Sequence, residues 1–170
     1  DRFHVPKNLA RVIRQGVFSV RSDVSFEAVI RGCADRATGE ETWLNDTLIE
    51  AYVDLHGRGL AHSVESWREG VLVGGLYGVA LGSAFFGESM FCRPGEGGTN
   101  ASKVALAALV GWLRLRGYTL LDTQFWNPHL DQFGATEIPR AVYLRRLAAA
   151  IERTGVTWGS FDGVEALEAA

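Results

Sequence analysis

Two short stretches place polar side chains where packing alone would ask for apolar ones. In "LVGGLYGVALGSAFFGESMF", residues 72–91, Glu88 stands between Gly87 and Ser89 in an aromatic neighbourhood. In "LLDTQF", residues 120–125, Asp122 and Gln124 alternate with Leu121 and Thr123. A carboxylate at the end of an apolar strand is costly unless solvated or paired. Its chemical use is to hold an amine or ammonium, and Gly87 beside it allows close approach to the backbone. Residues two apart on a strand share a face. Asp122 and Gln124 are therefore expected side by side, with Leu121 and Thr123 turned the other way. A carboxylate and an amide so placed can orient a nucleophilic amine and take part in its proton loss. The competing reading of Glu88 is an edge-strand acid facing water; that of Asp122 and Gln124 is the solvent face of a half-covered sheet, which helices covering both faces would disfavour.

Other candidates are weaker. Trp43 stands just before a helix, where it either stacks on a base or adenosine ring or staples its own helix. "CRPGEGGTNASK", residues 92–103, leads into a helix N-terminus and invites a phosphate-loop reading. It lacks Walker spacing, Lys103 falls inside the helix, and Glu96 puts an acid where a phosphate needs donors, so a flexible surface loop is expected. It also lacks the R/Q-x-x-G-x-G/A run that cradles coenzyme A pyrophosphate in acetyltransferases. His62 and Ser63 are neighbours on a strand and point to opposite faces, so they are not in themselves a triad. Leu76, Phe85 and Phe86 are core residues or the lining of an apolar pocket.

The elements that must position these residues follow from periodicity and punctuation. "PKNLARVIRQG" is a short helix between Pro6 and Gly16. "VFSVRSDV" is extended. Ser25 is placed to cap "FEAVIRGCADR", "RATGEET" is a loop, and Asn45 or Asp46 caps "TLIEAYVDLHGRG". "AHSVESW", "VLVGGLYGVAL" and "SAFFGESMF" read as strands, with "REG" a turn. "ASKVALAALVGWLRLRG" is a helix with Asn100 as its cap, "YTLLDTQF" a buried-type strand, "NPHLDQFG" one helical turn, and "ATEIP" a short extended piece. "RAVYLRRLAAAIERTG" is the last helix expected, because "VTWGSFDGVEALEAA" has little pattern. The whole predicts a single α/β (α+β) domain over 1–170, a mixed sheet covered by helices, in the order of an acetyltransferase-like (GNAT) fold.

Composition narrows the classes. With 47% hydrophobic and 22% charged residues, the chain has the balance of a globular domain with a real core. No apolar run reaches the roughly 18–20 residues that cross a bilayer, and the start has no signal-peptide core, so a cytosolic protein is expected. Cys33 and Cys92 form neither a disulfide framework nor a CxxC pair, and the four histidines lack ligand spacing, so no structural zinc is expected. The net charge of −3 is uneven. Seven basic residues face four acidic ones between Asp1 and Arg36, Arg140, Arg145, Arg146 and Arg153 sit on a late helix, and the segment from Glu40 to Glu69 is acidic. The basic groups are either phosphate-tracking patches or solvated helix faces.

In order along the chain, "EETW", "EAYVDLHGRGLAHSVESW", "LVGGLYGVALGSAFFGESMF", "NASKVAL", "LLDTQF" and "QFGATEIPR" resemble the leucyl/phenylalanyl-tRNA–protein transferases, from about Val29 to Leu147. The resemblance implies an acetyltransferase-like fold and transfer of Leu or Phe, and by pocket chemistry Met, from aminoacyl-tRNA to the N-terminal Arg or Lys of an acceptor. The product would be marked for degradation by the N-end rule. It implies that Glu88, Asp122 and Gln124 form the active site, with Asp122 orienting Gln124, Gln124 touching the attacking amine and Glu88 holding an amine. It implies that Leu76, Phe85, Met90 and Leu121 surround the apolar amino-acid pocket and that Trp43 meets the terminal adenosine of the tRNA. The aminoacyl ester is already activated, so neither cofactor nor metal is expected, and catalysis rests on placing amine against carbonyl. The chain departs from the pattern at "PGEGG", at Cys92, at Gln132-Phe133, and at the family's Trp/Pro-rich opening segment, of which residues 1–25 would be the remnant. The rival readings are an acetyl-CoA N-acetyltransferase, a non-catalytic tRNA- or peptide-binding relative, and aminoacyl transfer to a peptidoglycan precursor.

Overall fold

Five strands form one sheet in the computed structural model, which describes residues 2–35 and 42–170. They are β1 (Ser19–Ser22), β2 (Ala61–Arg68), β3 (Val71–Leu81), β4 (Ala84–Cys92) and β5 (Leu120–Asp122), side by side in that order. The first four pair antiparallel, and β5 lies parallel to β4. A parallel neighbour needs a long crossover, and helix α4 (Ala101–Arg116) supplies it. The turn "REG" closes β2 on β3 with Glu69 at φ 50° and Gly70 at φ 81°. Two successive positive φ values are what a tight hairpin requires.

Helices cover both faces. On one side α4, with α1 (Lys7–Arg14) and α7 (Gly163–Glu168), packs a core that includes Val64, Leu76, Phe85, Leu109 and Trp158. On the other, α2 (Phe26–Ala34) and α3 (Asp46–Gly57) pack a second core with Val29, Ile30, Ile49 and Tyr77. Because α4 lies between the sheet and α7, it is buried on almost every side and shows no polar stripe. Its Gly111 lets the two helices touch, since a Cβ there would sit 1.8 Å from the carbonyl oxygen of Ala166.

Several expectations need correction. The tail is not patternless. Asp162 caps α7 by accepting from the amides of Val164 and Glu165, and buried Trp158 accepts at its carbonyl from Trp112 Nε1 at 3.0 Å. Six residues are too few for periodicity to reveal a helix. Asn45 caps α3 through Leu48 N as expected, but the Ser25 and Asn100 side chains cap nothing, Asn100 lying at φ 70°. The buried strand expected over 118–125 shrinks to the three partly buried residues of β5, and "ATEIP" joins no sheet. Helices α5 (Pro128–Asp131) and α6 (Arg140–Glu152) fall where expected. The loop expected at 36–42 lies, except for Thr42, outside the described residues. Among the described residues no helix is long and apolar enough to cross a membrane.

Candidate active site

The strand register explains how Glu88 leaves the packed face. On β3, Tyr77 faces Ser89 and Gly78 faces Gly87, so Glu88 has no partner across the ladder. It is the extra residue of a β-bulge, a device that re-aims a side chain. Gly87 is approached by β5 itself: a Cβ there would lie 3.5 Å from the carbonyl oxygen of Asp122, an ordinary contact. The β4–β5 ladder ends at the pair Phe86–Asp122. Beyond it the two strands are joined by side chains, Gln124 Nε2 donating to Glu88 Oε2 at 3.0 Å.

Asp122 and Gln124 do come together, but not by strand alternation. The strand stops at Asp122, and Gln124 lies exposed at φ 66°. The Asp122 carboxylate sets this turn by accepting from Gln124 N at 2.7 Å, the local bond with which aspartate stabilises a left-handed residue two places on. Its second oxygen accepts from the Tyr143 hydroxyl of α6 at 2.5 Å. Asp122 thus fixes the backbone of Gln124 rather than its amide. The amide orientation follows from Glu88, since an ionised carboxylate only accepts. The Gln124 carbonyl oxygen therefore points away from Glu88 with no protein partner among the described residues, and it is available to an amine N–H.

Three tyrosines surround this constellation, and none was singled out by sequence reasoning. Tyr52 of α3 lies near the Glu88 carboxylate. Burial first, then the neighbouring Glu88 carboxylate, push its phenol up to about 12. Tyr143 is raised to about 12 by its hydrogen bond to Asp122, then by burial and the Asp122 charge. Tyr77 lies beneath the bulge and is raised by burial, then by Tyr52, Cys33 and Glu88. All three stay protonated donors at neutral pH. No spacing rule points to them, because they come from two helices and a neighbouring strand.

Trp43 is half-exposed at 46%. It is not the staple of α3. Leu44, directly before the Asn45 cap, and Ile49 in the first turn are both buried in one cluster and fill those positions. Leu76, Phe85, Met90 and Leu121 lie in one hydrophobic cluster, with Leu76 opposite Met90 and Phe85 opposite Leu121 in the ladders. Of these only Leu121 lines the 690 Å³ cleft between α4, β5 and the 130–138 segment, where Leu106, Val110, Leu113 and Thr123 join it. The α4 contributors were hidden because that helix is apolar all round. The "CRPGEGGTN" stretch is no phosphate cradle: a 3₁₀ turn over Pro94–Glu96 closes onto Arg93, and the amides of Glu96 and Gly98 bond the Arg93 carbonyl. His62 stacks on Trp158 while the Ser63 hydroxyl reaches Glu65, on opposite faces as expected.

Comparison with known proteins places this chain in a family. The profile described as leucyl/phenylalanyl-tRNA protein transferase matches residues 1–148. A leucyl/phenylalanyl-tRNA–protein transferase of Rubrobacter xylanophilus is 59% identical over 152 residues, 89% of this chain and 76% of the relative. One from Paramagnetospirillum magneticum is 56% identical over 155 residues, 91% of this chain and 72% of the relative. Among solved structures, a predicted acetyltransferase of Clostridium acetobutylicum with acetyl-CoA superposes with a TM-score of 0.57 at 10% identity, over 72% of this chain and 92% of that one. A GNAT family acetyltransferase of Brucella melitensis superposes at 0.54 with 16% identity, over 71% and 83%. These two likenesses establish the GNAT-like fold and nothing of the chemistry.

Proposed function

The chain belongs to the leucyl/phenylalanyl-tRNA–protein transferase family and is an aminoacyltransferase, and from that premise we propose that it moves Leu or Phe, with Met also admitted, from charged tRNA to the N-terminal Arg or Lys of an acceptor protein. In the reaction the acceptor nitrogen attacks the ester carbonyl. The C–N bond forms as the C–O bond to the tRNA ribose breaks, and the amine proton ends on the departing ribose oxygen. The observation that carries this reading is the Gln124 amide. Glu88 holds its NH₂ end at 3.0 Å, which leaves its carbonyl oxygen to align an amine N–H. Glu88 supplies the negative charge for the ammonium or amine, and Asp122 with Tyr143 locks the turn carrying Gln124. The ester is already activated, so alignment supplies most of what the step needs.

The cluster of Leu76, Phe85, Met90 and Leu121 would supply apolar surface for the amino-acid side chain, and such a pocket separates Leu, Phe and Met only modestly. The exposed ring of Trp43 is free to stack on the terminal adenosine. Lys7, Arg11 and Arg14 lie on one exposed face of α1, without ion-pair partners among the described residues, and suit the phosphate backbone of the tRNA. The work would be done in the cytoplasm, and the product would enter N-end rule degradation.

The test is transfer of labelled Leu from charged tRNA to a peptide beginning with Arg, beside one beginning with Ala. Transfer to the Arg peptide alone is expected. Equal transfer to both would remove the acceptor rule, and transfer to neither would remove the reaction.

A further inference from the structure

Beneath the bulge lies a polar group that the reaction described above does not use. Tyr77 is 0% exposed, and its hydroxyl is buried without a hydrogen-bond partner among the described residues. Around it lie Tyr52, itself close to Glu88, and Cys33, whose thiol burial raises to about 12. The Tyr77 ring sits edge-on to Tyr52 at 5.1 Å and to Phe26 at 5.9 Å. Phenylalanine would make these ring contacts equally well. A buried hydroxyl left unpaired is costly, and such groups are rare enough to need a reason. Packing gives none here, so the reason is sought in a state of the enzyme other than the resting one.

We propose that Tyr77 is a positioning residue for aminoacyl transfer, its hydroxyl donating to the Tyr52 oxygen when an amine engages Glu88. This rests on the reading of Glu88 as the amine-holding carboxylate. A phenol oxygen that donates one bond still accepts others. In that state Tyr52 donates to Glu88, and the donation from Tyr77 to Tyr52 completes the chain Tyr77–Tyr52–Glu88, in which each bond polarises the next. Glu88 sits on a bulge, without a ladder partner to hold it. A chain rooted in the core is what would keep its carboxylate in place while an ammonium pulls on it from the open side.

The test compares wild type, Tyr77→Phe, Tyr52→Phe, the double variant and Glu88→Gln in steady-state Leu transfer to the Arg peptide, with melting followed in parallel. Tyr77→Phe is expected to melt no lower than wild type, to lose about fivefold in kcat, and to keep its KM for charged tRNA. In the Tyr52→Phe background the same substitution is expected to cost little more, because its route to Glu88 is gone. Wild-type kcat in Tyr77→Phe overturns the proposal. So does an earlier melt, which would make the hydroxyl a structural bond, or an undiminished loss in the Tyr52→Phe background, which would put it on another route. Wild-type activity in Glu88→Gln overturns the role of Glu88 itself, and that failure is visible separately from the tyrosine variants.

Discussion

Glu65 and Glu88 stand on β2 and β4, one reaching the start of α2 and the other reaching α3, yet they live in opposite circumstances. Glu65 is 0% exposed and takes three donors, Ser25 N at 2.7 Å, Ser63 Oγ at 2.9 Å and Trp67 Nε1 at 2.9 Å. Beside it Asp23, held at φ 60°, pairs with His62 at 2.7 Å and accepts from Ser63 N at 2.8 Å. That region holds an acid, a histidine and a serine, the inventory of a hydrolase, and every member is spent on tying β1 and the start of α2 to β2. Glu88 is only partly buried, sits where the ladder skips a residue, and meets groups whose other atoms remain open. A carboxylate whose lone pairs are filled by the fold serves the fold. One that the fold leaves partly free can serve a substrate.

The sharpest way to break this contrast is Glu65→Ala. It strands an amide, a hydroxyl and an indole N–H in the interior, and a loss of about 3–5 kcal/mol of stability is expected. Transfer per folded molecule should stay near wild type. Chemical denaturation and active-site-normalised rates separate the two, and a variant that is stable but inactive would erase the distinction.

Next in size is Gln124. Gln124→Ala should lower transfer by roughly 10²-fold or more, as loss of a positioned group does. Gln124→Gly removes the side chain while suiting the positive φ, so it should match wild type in melting and Ala in rate. An active glycine variant would move the role from the amide to the turn. Asp122→Asn should fall between wild type and Gln124→Ala in transfer rate, keeping a side-chain acceptor for Gln124 N but losing the charge that draws Tyr143.

How much of this was legible depends on what kind of signal each residue carried. Glu88 announced itself as an acid in an apolar strand, and the pairing of Asp122 with Gln124 was foreseen from strand periodicity. The pairing holds, but through a side-chain-stabilised turn after the strand has ended, so a correct neighbour was reached by a wrong geometry. Trp43 was weighed against a staple that Leu44 fills instead, one residue away. Tyr52 and Tyr143 were missed because helix docking brings them in, and nothing local encodes where α3 and α6 meet the sheet. The α4 wall of the cleft was missed for the opposite reason: a helix buried on all sides has no stripe to read.

The smallest effect expected is at Tyr143, and it bears on whether the open site is also held from outside. Tyr143→Phe removes one donor from Asp122 at the protein surface, where water can replace it. A fall in kcat of about three- to tenfold is expected, with a modest loss of stability of about 1 kcal/mol, since water at this wet site offsets part of what a hydrogen bond to a charged group is worth. The bond also has a pH signature. The folded phenol is raised to about 12 from an ordinary value near 10. Its contribution is therefore fully present below about pH 10, where folded and unfolded phenols are both protonated, and fades between there and about pH 12 as the unfolded state loses its proton first. The difference in stability between wild type and Tyr143→Phe should shrink across that window. A difference that stayed constant to pH 12 would mean that the phenol is held by packing and that Asp122 stands without it.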